Sequence, residues 1–199
     1  MASLVFNPAV HVAISIILLM SPATNSFSRP LSASEAKSMS PGSGMGLGCP
    51  QATNLHFYFH DIVSGPNPTA VRIAAPRANY SMFFGTLVMI DDPLTYGPDM
   101  SSGIMGRAQG MYGSADLEVA GLVMVLNFVF TDGDYKGSTL SLLGRNAVMD
   151  KVREMPILGG TGKFRFATGY ARARTYHWDF TTGDAVVEYH VTVFHYGQA

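Results

Sequence analysis

From residue 54 onward, apolar and polar positions alternate with a period of two, the pattern of strands that bury one face. Leu55 to Val63 alternates and ends at the turn signal Ser64-Gly-Pro-Asn-Pro68. Phe83 to Ile90 follows, stopped by Asp91-Asp-Pro93, and then Met105 to Tyr112. Glu118 to Phe130 runs into Thr131-Asp-Gly-Asp134, an Asp-Gly hairpin signal. Gly137 to Leu143, Val152 to Leu158, Lys163 to His177 and Ala185 to Tyr196 complete a set of eight expected strands. Their spacing, with short turns and no crossover helix, predicts an all-β, antiparallel up-and-down barrel or a sandwich. A barrel of about eight strands has room for one small ligand. Between Val119 and Val129 both strand faces are apolar (Val119, Val123 and Val125; Leu122, Met124 and Leu126). One face must pack inward, and the other calls for an outside cover such as a second subunit.

The N-terminal segment has a different character. Ala9 to Met20 is an apolar run, too short to span a membrane and followed by small and turn residues, which predicts a secretory signal over residues 1–26. No Lys or Arg precedes the run and His11 interrupts it. A Ser/Gly/Pro-rich stretch over residues 27–53 reads as a linker, leaving residues 54–199 as the domain. The sole cysteine, Cys49, lies in that linker, so the domain has no internal disulfide. Asn79-Tyr-Ser81 is a glycosylation acceptor pattern, which places Asn79 in an exposed loop.

Charge narrows the function classes. With 13 Lys and Arg against 14 Asp and Glu the net charge is −1, which argues against a nucleic-acid partner. Charged residues make up only 14% of the chain, against roughly 25% in ordinary soluble domains. The few charges at apolar positions therefore stand out. Asp61 shares a strand face with Leu55, Phe57 and Phe59, and is the one charged residue between Lys37 and Arg72. Either it finds a partner or holds its proton to unusually high pH, which suits acid–base chemistry on a small ligand, or it sits at a strand end accepting backbone N–H bonds. Gly106, Ala108, Gly110 and Tyr112 share one face, leaving either a pocket with a phenolic end or a close strand approach. Arg153, between Val152 and Met155, reads as a buried cation whose candidate anion is Asp61. Arg172 and Arg174 read as solvated outer-face charges.

Other motifs are incomplete. Gly159-Gly-Thr-Gly-Lys163 lacks the earlier glycine and the Ser or Thr of a phosphate loop. His56 and His60 share a face and read as surface residues, with no metal-ligand spacing to complete them. No serine has the flanking glycines of a nucleophile elbow, and Asp132 and Asp134 lack the rest of a calcium loop. No metal or cofactor is expected.

Several ordered motifs together resemble the plant dirigent proteins: Phe57-Tyr-Phe-His-Asp-Ile62, Phe84-Gly85, Asp91-Asp-Pro-Leu94, Gly106-Arg-Ala-Gln-Gly-Met-Tyr112, Gly159-Gly-Thr-Gly162 and Phe166-Ala-Thr-Gly-Tyr-Ala171. The resemblance implies a secreted, glycosylated, eight-stranded barrel of the plant apoplast, usually trimeric, with an aromatic-lined cavity. It also implies a role in steering the coupling of phenoxy radicals made by a separate oxidase, a laccase or peroxidase, toward lignan-type products. By matching position, Asp61, Tyr112 and Arg153 are the implied pocket residues, with Phe59 among the walls. Asn146 stands where lignan-forming members carry an aspartate, and Leu143-Gly-Arg-Asn146 with Val152-Arg-Glu-Met-Pro156 resembles the branch that includes pterocarpan-forming dehydratases. Stereoselective radical coupling is therefore the expected activity, and dehydration of an isoflavanol in the same pocket, with Asp61 as the acid, is the alternative. A passive carrier of a phenolic is the third possibility.

Overall fold

The two-residue alternation resolves into a closed antiparallel barrel in a computed structural model that describes residues 50–76 and 81–196. The strands are β1 (Pro50–Asp61), β2 (Ala70–Ala74), β3 (Leu87–Thr95), β4 (Ile104–Ser114), β5 (Gly121–Phe130), β6 (Thr139–Ala147), β7 (Arg153–Thr161), β8 (Thr168–Trp178) and β9 (Ala185–Tyr196). Each pairs with its sequence neighbour from β2 to β9, and β9 returns to pair along all of β1. Closure comes from β1, whose Tyr58 and Phe59 pair with Thr95 and Leu94 of β3. Short β2 lies against the other half of β3, so β1 and β2 share one stave and the barrel has eight. The signal segment, the linker up to Cys49 and the sequon residue Asn79 lie outside the described residues. Among those described, no helix is long and apolar enough to cross a membrane.

Inward residues alternate as the sequence requires. Phe57 and Phe59 of β1, Leu126, Phe128 and Phe130 of β5, and Leu140 and Leu142 of β6 are buried together. Phe57 meets Phe128 edge-on at 5.1 Å and stacks on Tyr189 at 5.6 Å, a geometry that aromatic quadrupoles favour. On β5 the even positions face inward, and Val123 and Val125 face out. Their neighbours extend an apolar stripe across the outer wall: Val71, Met89, Met111, Val125 and Leu143 are successive cross-strand partners on β2 to β6.

Several strand boundaries differ from expectation. Strand β1 begins at Pro50, inside the segment read as linker, because residues 50–53 continue the ladder with β9 and Thr53 Oγ1 lies 2.9 Å from His195 Nε2. Strand β2 is additional. Strand β3 runs through Asp91-Asp-Pro93 instead of stopping there. The Asp91 N–H donates to Thr69 O, so the Pro93 nitrogen two residues on faces the same side, at a gap where neither β1 nor β2 pairs, and the missing N–H costs no ladder bond. Strand β5 starts at Gly121, since Asp116 Oδ1 accepts the Glu118 and Val119 N–H groups and holds them in a turn. Strand β8 starts at Thr168, because a 3-10 turn at Gly162–Phe164 first drives Phe164 into the barrel end against Phe130 and Tyr135.

Of the two meanings open for the small residues of β4, close strand approach holds at the glycines. A Cβ on Gly106 would stand 2.3 Å from Val129 O, and one on Gly110, where φ is +151°, 2.1 Å from Val125 O. Backbone of β5 occupies the space a side chain would need, so these glycines bring β4 against β5 rather than lining a hole.

Candidate functional site in the barrel mouth

One end of the barrel holds a cavity of about 280 Å³, walled mostly by apolar side chains that include Phe59, Leu122, Met124, Val187 and Tyr189. Met82 and Phe83, both at positive φ, and Trp178 border it. Four of the residues singled out in the sequence line it with Phe59: Asp61, Tyr112, Asn146 and Arg153. They come from four strands, β1, β4, β6 and β7, and only barrel closure brings them together.

Asp61 takes the first of its open readings. The Tyr112 hydroxyl donates to Asp61 Oδ2 at 2.9 Å, and Oδ1 lies 3.3 Å from the same hydroxyl. Backbone capping at that strand end falls instead to Asp184, whose Oδ1 accepts the Val63 and Ser64 N–H groups. Burial pushes the Asp61 carboxyl up to about 6; the bond from Tyr112 opposes the rise and the charge of Asp184 adds to it. Burial, then the Asp61 charge, raises the Tyr112 phenol well above its usual range, so it stays a donor.

Arg153 is 4% exposed, but its partner is not Asp61 as the sequence suggested. Its Nε donates to Asn146 Oδ1 at 3.1 Å and its Nη1 to Thr175 Oγ1 at 3.1 Å, with Asp150 O at 3.4 Å. Asn146 is itself buried, its amide directed at Met124 Sδ at 3.6 Å. No carboxylate among the described residues pairs with this guanidinium. Its hydrogen bonds go to neutral acceptors and the Asp150 carboxylate acts on it only through space, so the guanidinium can still pair directly with an oxyanion in the cavity. The cavity thus carries a protonatable acid and a fixed positive charge on apolar walls.

A second carboxyl escaped the sequence reading. Asp92 is fully buried on the inward face of β3, between Ile90 and Leu94. Its Oδ1 accepts the Thr69 hydroxyl and its Oδ2 has no partner. Burial, and then the charge of Asp61, push it up to about 8. The signal was present, a carboxylate on an apolar face as at Asp61, but the Asp-Asp-Pro motif reads first as a strand stop. Because its folded-state pKa is raised, Asp92 favours the fold most below the usual carboxylate pKa, and that contribution is lost as pH rises through about 8. Asp92→Asn, which mimics the neutral acid, is therefore expected to raise Tm at alkaline pH and change it little at acid pH; thermal melts of both proteins across the range check this.

His60 corrects another expectation. It is buried, 2.7 Å from Thr95 Oγ1, where β1 crosses β3, while His56 lies on the outer wall.

A family model described as Dirigent-like protein matches residues 52–194, nearly the whole barrel. The chain belongs to the dirigent family. It is 58% identical over 149 residues to Pterocarpan synthase 1 of Glycine max, covering 73% of this chain and 80% of that protein. Dirigent protein 21 of Arabidopsis thaliana is 56% identical over 145 residues, 72% of this chain and 77% of its own. Among solved structures, the pterocarpan synthase dirigent protein GePTS1 superposes with a TM-score of 0.72 at 53% identity, over 75% of this chain and 88% of that one. PsPTS1, another pterocarpan synthase dirigent protein, gives 0.71 at 54%, over 74% and 97%. Dirigent family membership, the barrel and close pterocarpan synthase relatives therefore stand together.

Proposed function

We propose that this dirigent protein is a pterocarpan-synthase-like dehydratase that closes a ring within a single isoflavanol-type phenolic. The observation that carries the proposal is the pairing of a buried, protonatable Asp61 with an Arg153 whose positive charge Asn146 orients but does not neutralise. Asp61 gives its proton to the leaving hydroxyl, which departs as water as its C–O bond breaks. A phenolic oxygen of the same substrate, held as its phenolate by Arg153 with its proton given up to solvent, pushes electrons toward that carbon as the hydroxyl leaves, giving a neutral quinone methide. A second phenolic oxygen then attacks the electron-poor carbon, forming the new C–O bond, and its proton returns to Asp61. The net change is loss of one water, with no oxidant consumed. Tyr112 keeps the carboxyl aimed. The cavity, at about 280 Å³, lies at the small end of ligand sites, which favours one substrate folding on itself over two monomers held side by side.

Stereoselective coupling of phenoxy radicals made by a separate oxidase is the second reading. The same apolar walls would orient the rings, and family membership supports it. The N-terminal apolar run supports secretion to the apoplast as part of this reading. In the same proposal, the outer stripe around Met89, Met111 and Val125 is covered by further copies of the chain in a trimer.

The deciding experiment supplies the purified protein with a 2′-hydroxyisoflavanol without oxidase, and separately with coniferyl alcohol plus a one-electron oxidase. Chiral chromatography reads both products. Ring closure without oxidase, together with racemic lignans, is the expected result. An enantiomeric excess in the lignans with no ring closure would replace the dehydratase reading with the radical one.

A further inference from the structure

On the outer wall, away from the cavity, the register of β1 against β9 brings His56 onto a carboxylate and an imidazole, Glu188 and His190, that share a face of β9. His56 and His190 are direct cross-strand partners, and Glu188 pairs with Tyr58 in the next inward turn of the ladder. The two rings stack, with centroids 4.4 Å apart and planes at 17°. Both Nε2 atoms address one oxygen, His56 at 3.0 Å and His190 at 3.5 Å from Glu188 Oε1. The candidate ligand atoms of all three residues lie within 4.8 Å of one another.

We propose that His56, His190 and Glu188 form a binding site for a divalent transition-metal ion, of the zinc or copper class. Two ligands each about 2 Å from a tetrahedral ion stand roughly 3.3 Å apart, and the two Nε2–Oε1 separations fall on either side of that value; the exposed, stacked rings turn out of parallel to aim both lone pairs at the ion. Two imidazoles and one carboxylate are a donor set such ions favour, with further positions left for water. The carboxylate is already oriented by an outer layer: Arg174 Nη2 donates to Oε2 at 3.1 Å, and the Tyr58 hydroxyl to Oε1 at 3.3 Å. Protons compete with the ion for the Nε2 lone pairs, so binding releases protons and weakens at lower pH. The other ionisable groups facing the cluster are Arg172 and Arg174 of β8 and, beyond Tyr58, Tyr176. The two guanidiniums oppose a cation and hold the affinity to a moderate level. Bound metal ties the first strand of the barrel to the last.

The test titrates tag-free, metal-stripped protein in a Cys49→Ser background with zinc(II), by calorimetry in two buffers of different protonation enthalpy. One ion per chain, proton release, and a Tm that rises with zinc are expected. His56→Gln and His190→Gln should each weaken binding about tenfold or more and abolish the Tm rise. Both side chains are exposed, so these variants keep the fold; melts without metal verify it. The absence of saturable binding, or binding that neither substitution weakens, would overturn the site. Ring closure with and without zinc is a separate readout and is expected to be unchanged, since none of the three residues lines the cavity.

Discussion

Asp61→Asn is expected to slow ring closure by roughly 10²–10⁴-fold, the range a positioned general acid supplies, while ligand binding changes only a few-fold. Asparagine has the same shape, and its carbonyl still accepts the Tyr112 hydroxyl at the position Oδ2 now holds. What it lacks is a transferable proton. In the unsubstituted protein the carboxyl is pushed up to about 6, so the acid form predominates below that pH. The rate should be level there and fall about tenfold per pH unit above it. In Asp61→Asn the residual rate should lose this dependence. Single-turnover rates across pH, set beside ligand binding by fluorescence quenching, separate the two effects. A variant that keeps full activity would remove Asp61 from the chemistry, and a protein that binds the ligand but never turns it over would be a carrier.

Arg153→Leu should lower the rate by about 10²–10³-fold, comparable to removing a fixed charge or donor aimed at developing negative charge. The charge matters because no carboxylate hydrogen-bonds it directly: its side-chain partners are Asn146 and Thr175, both neutral. Asn146→Asp tests that point without touching the arginine. A carboxylate there would pair with Arg153 and neutralise the cavity, with an expected loss on the order of tenfold. Steady-state kinetics on both variants, with melts to confirm folding, check the order of effects. If Asn146→Asp left the rate unchanged, a charge free of a carboxylate partner would not be what the site uses. The same substitution supplied with coniferyl alcohol and an oxidase asks whether an aspartate at this position moves the pocket toward radical coupling.

The individual site residues were legible for a simple reason. A polar side chain at an apolar strand position is conspicuous when only 14% of the chain is charged, and strand parity says which way it points. That argument found Asp61, the buried Arg153 and, through the small-residue face of β4, Tyr112; the motif resemblance added Asn146 and Phe59. Parity also found two apolar sets on β5, but that Leu122, Met124 and Leu126 are the inward one came only from the structure. It failed where a turn signal masked a strand. Asp91-Asp-Pro93 looks like a stop, yet β3 continues through it because Pro93 faces a gap in the ladder, and so buried Asp92 was overlooked.

Period-two alternation, turn chemistry and composition by themselves determined that this chain makes an antiparallel β domain, either a barrel or a sandwich. These are local properties, set within a few residues of each position. Pairings across the sequence were decided only by closure. Arg153 sits seven residues from Asn146, within one hairpin, yet its other side-chain partner comes from β8 and its expected one, Asp61, from β1. The His56–Glu188–His190 cluster joins residues more than 130 positions apart. Parity tells a side chain which face to take, but which strand lies opposite, and in what register, follows from how eight staves close on one another.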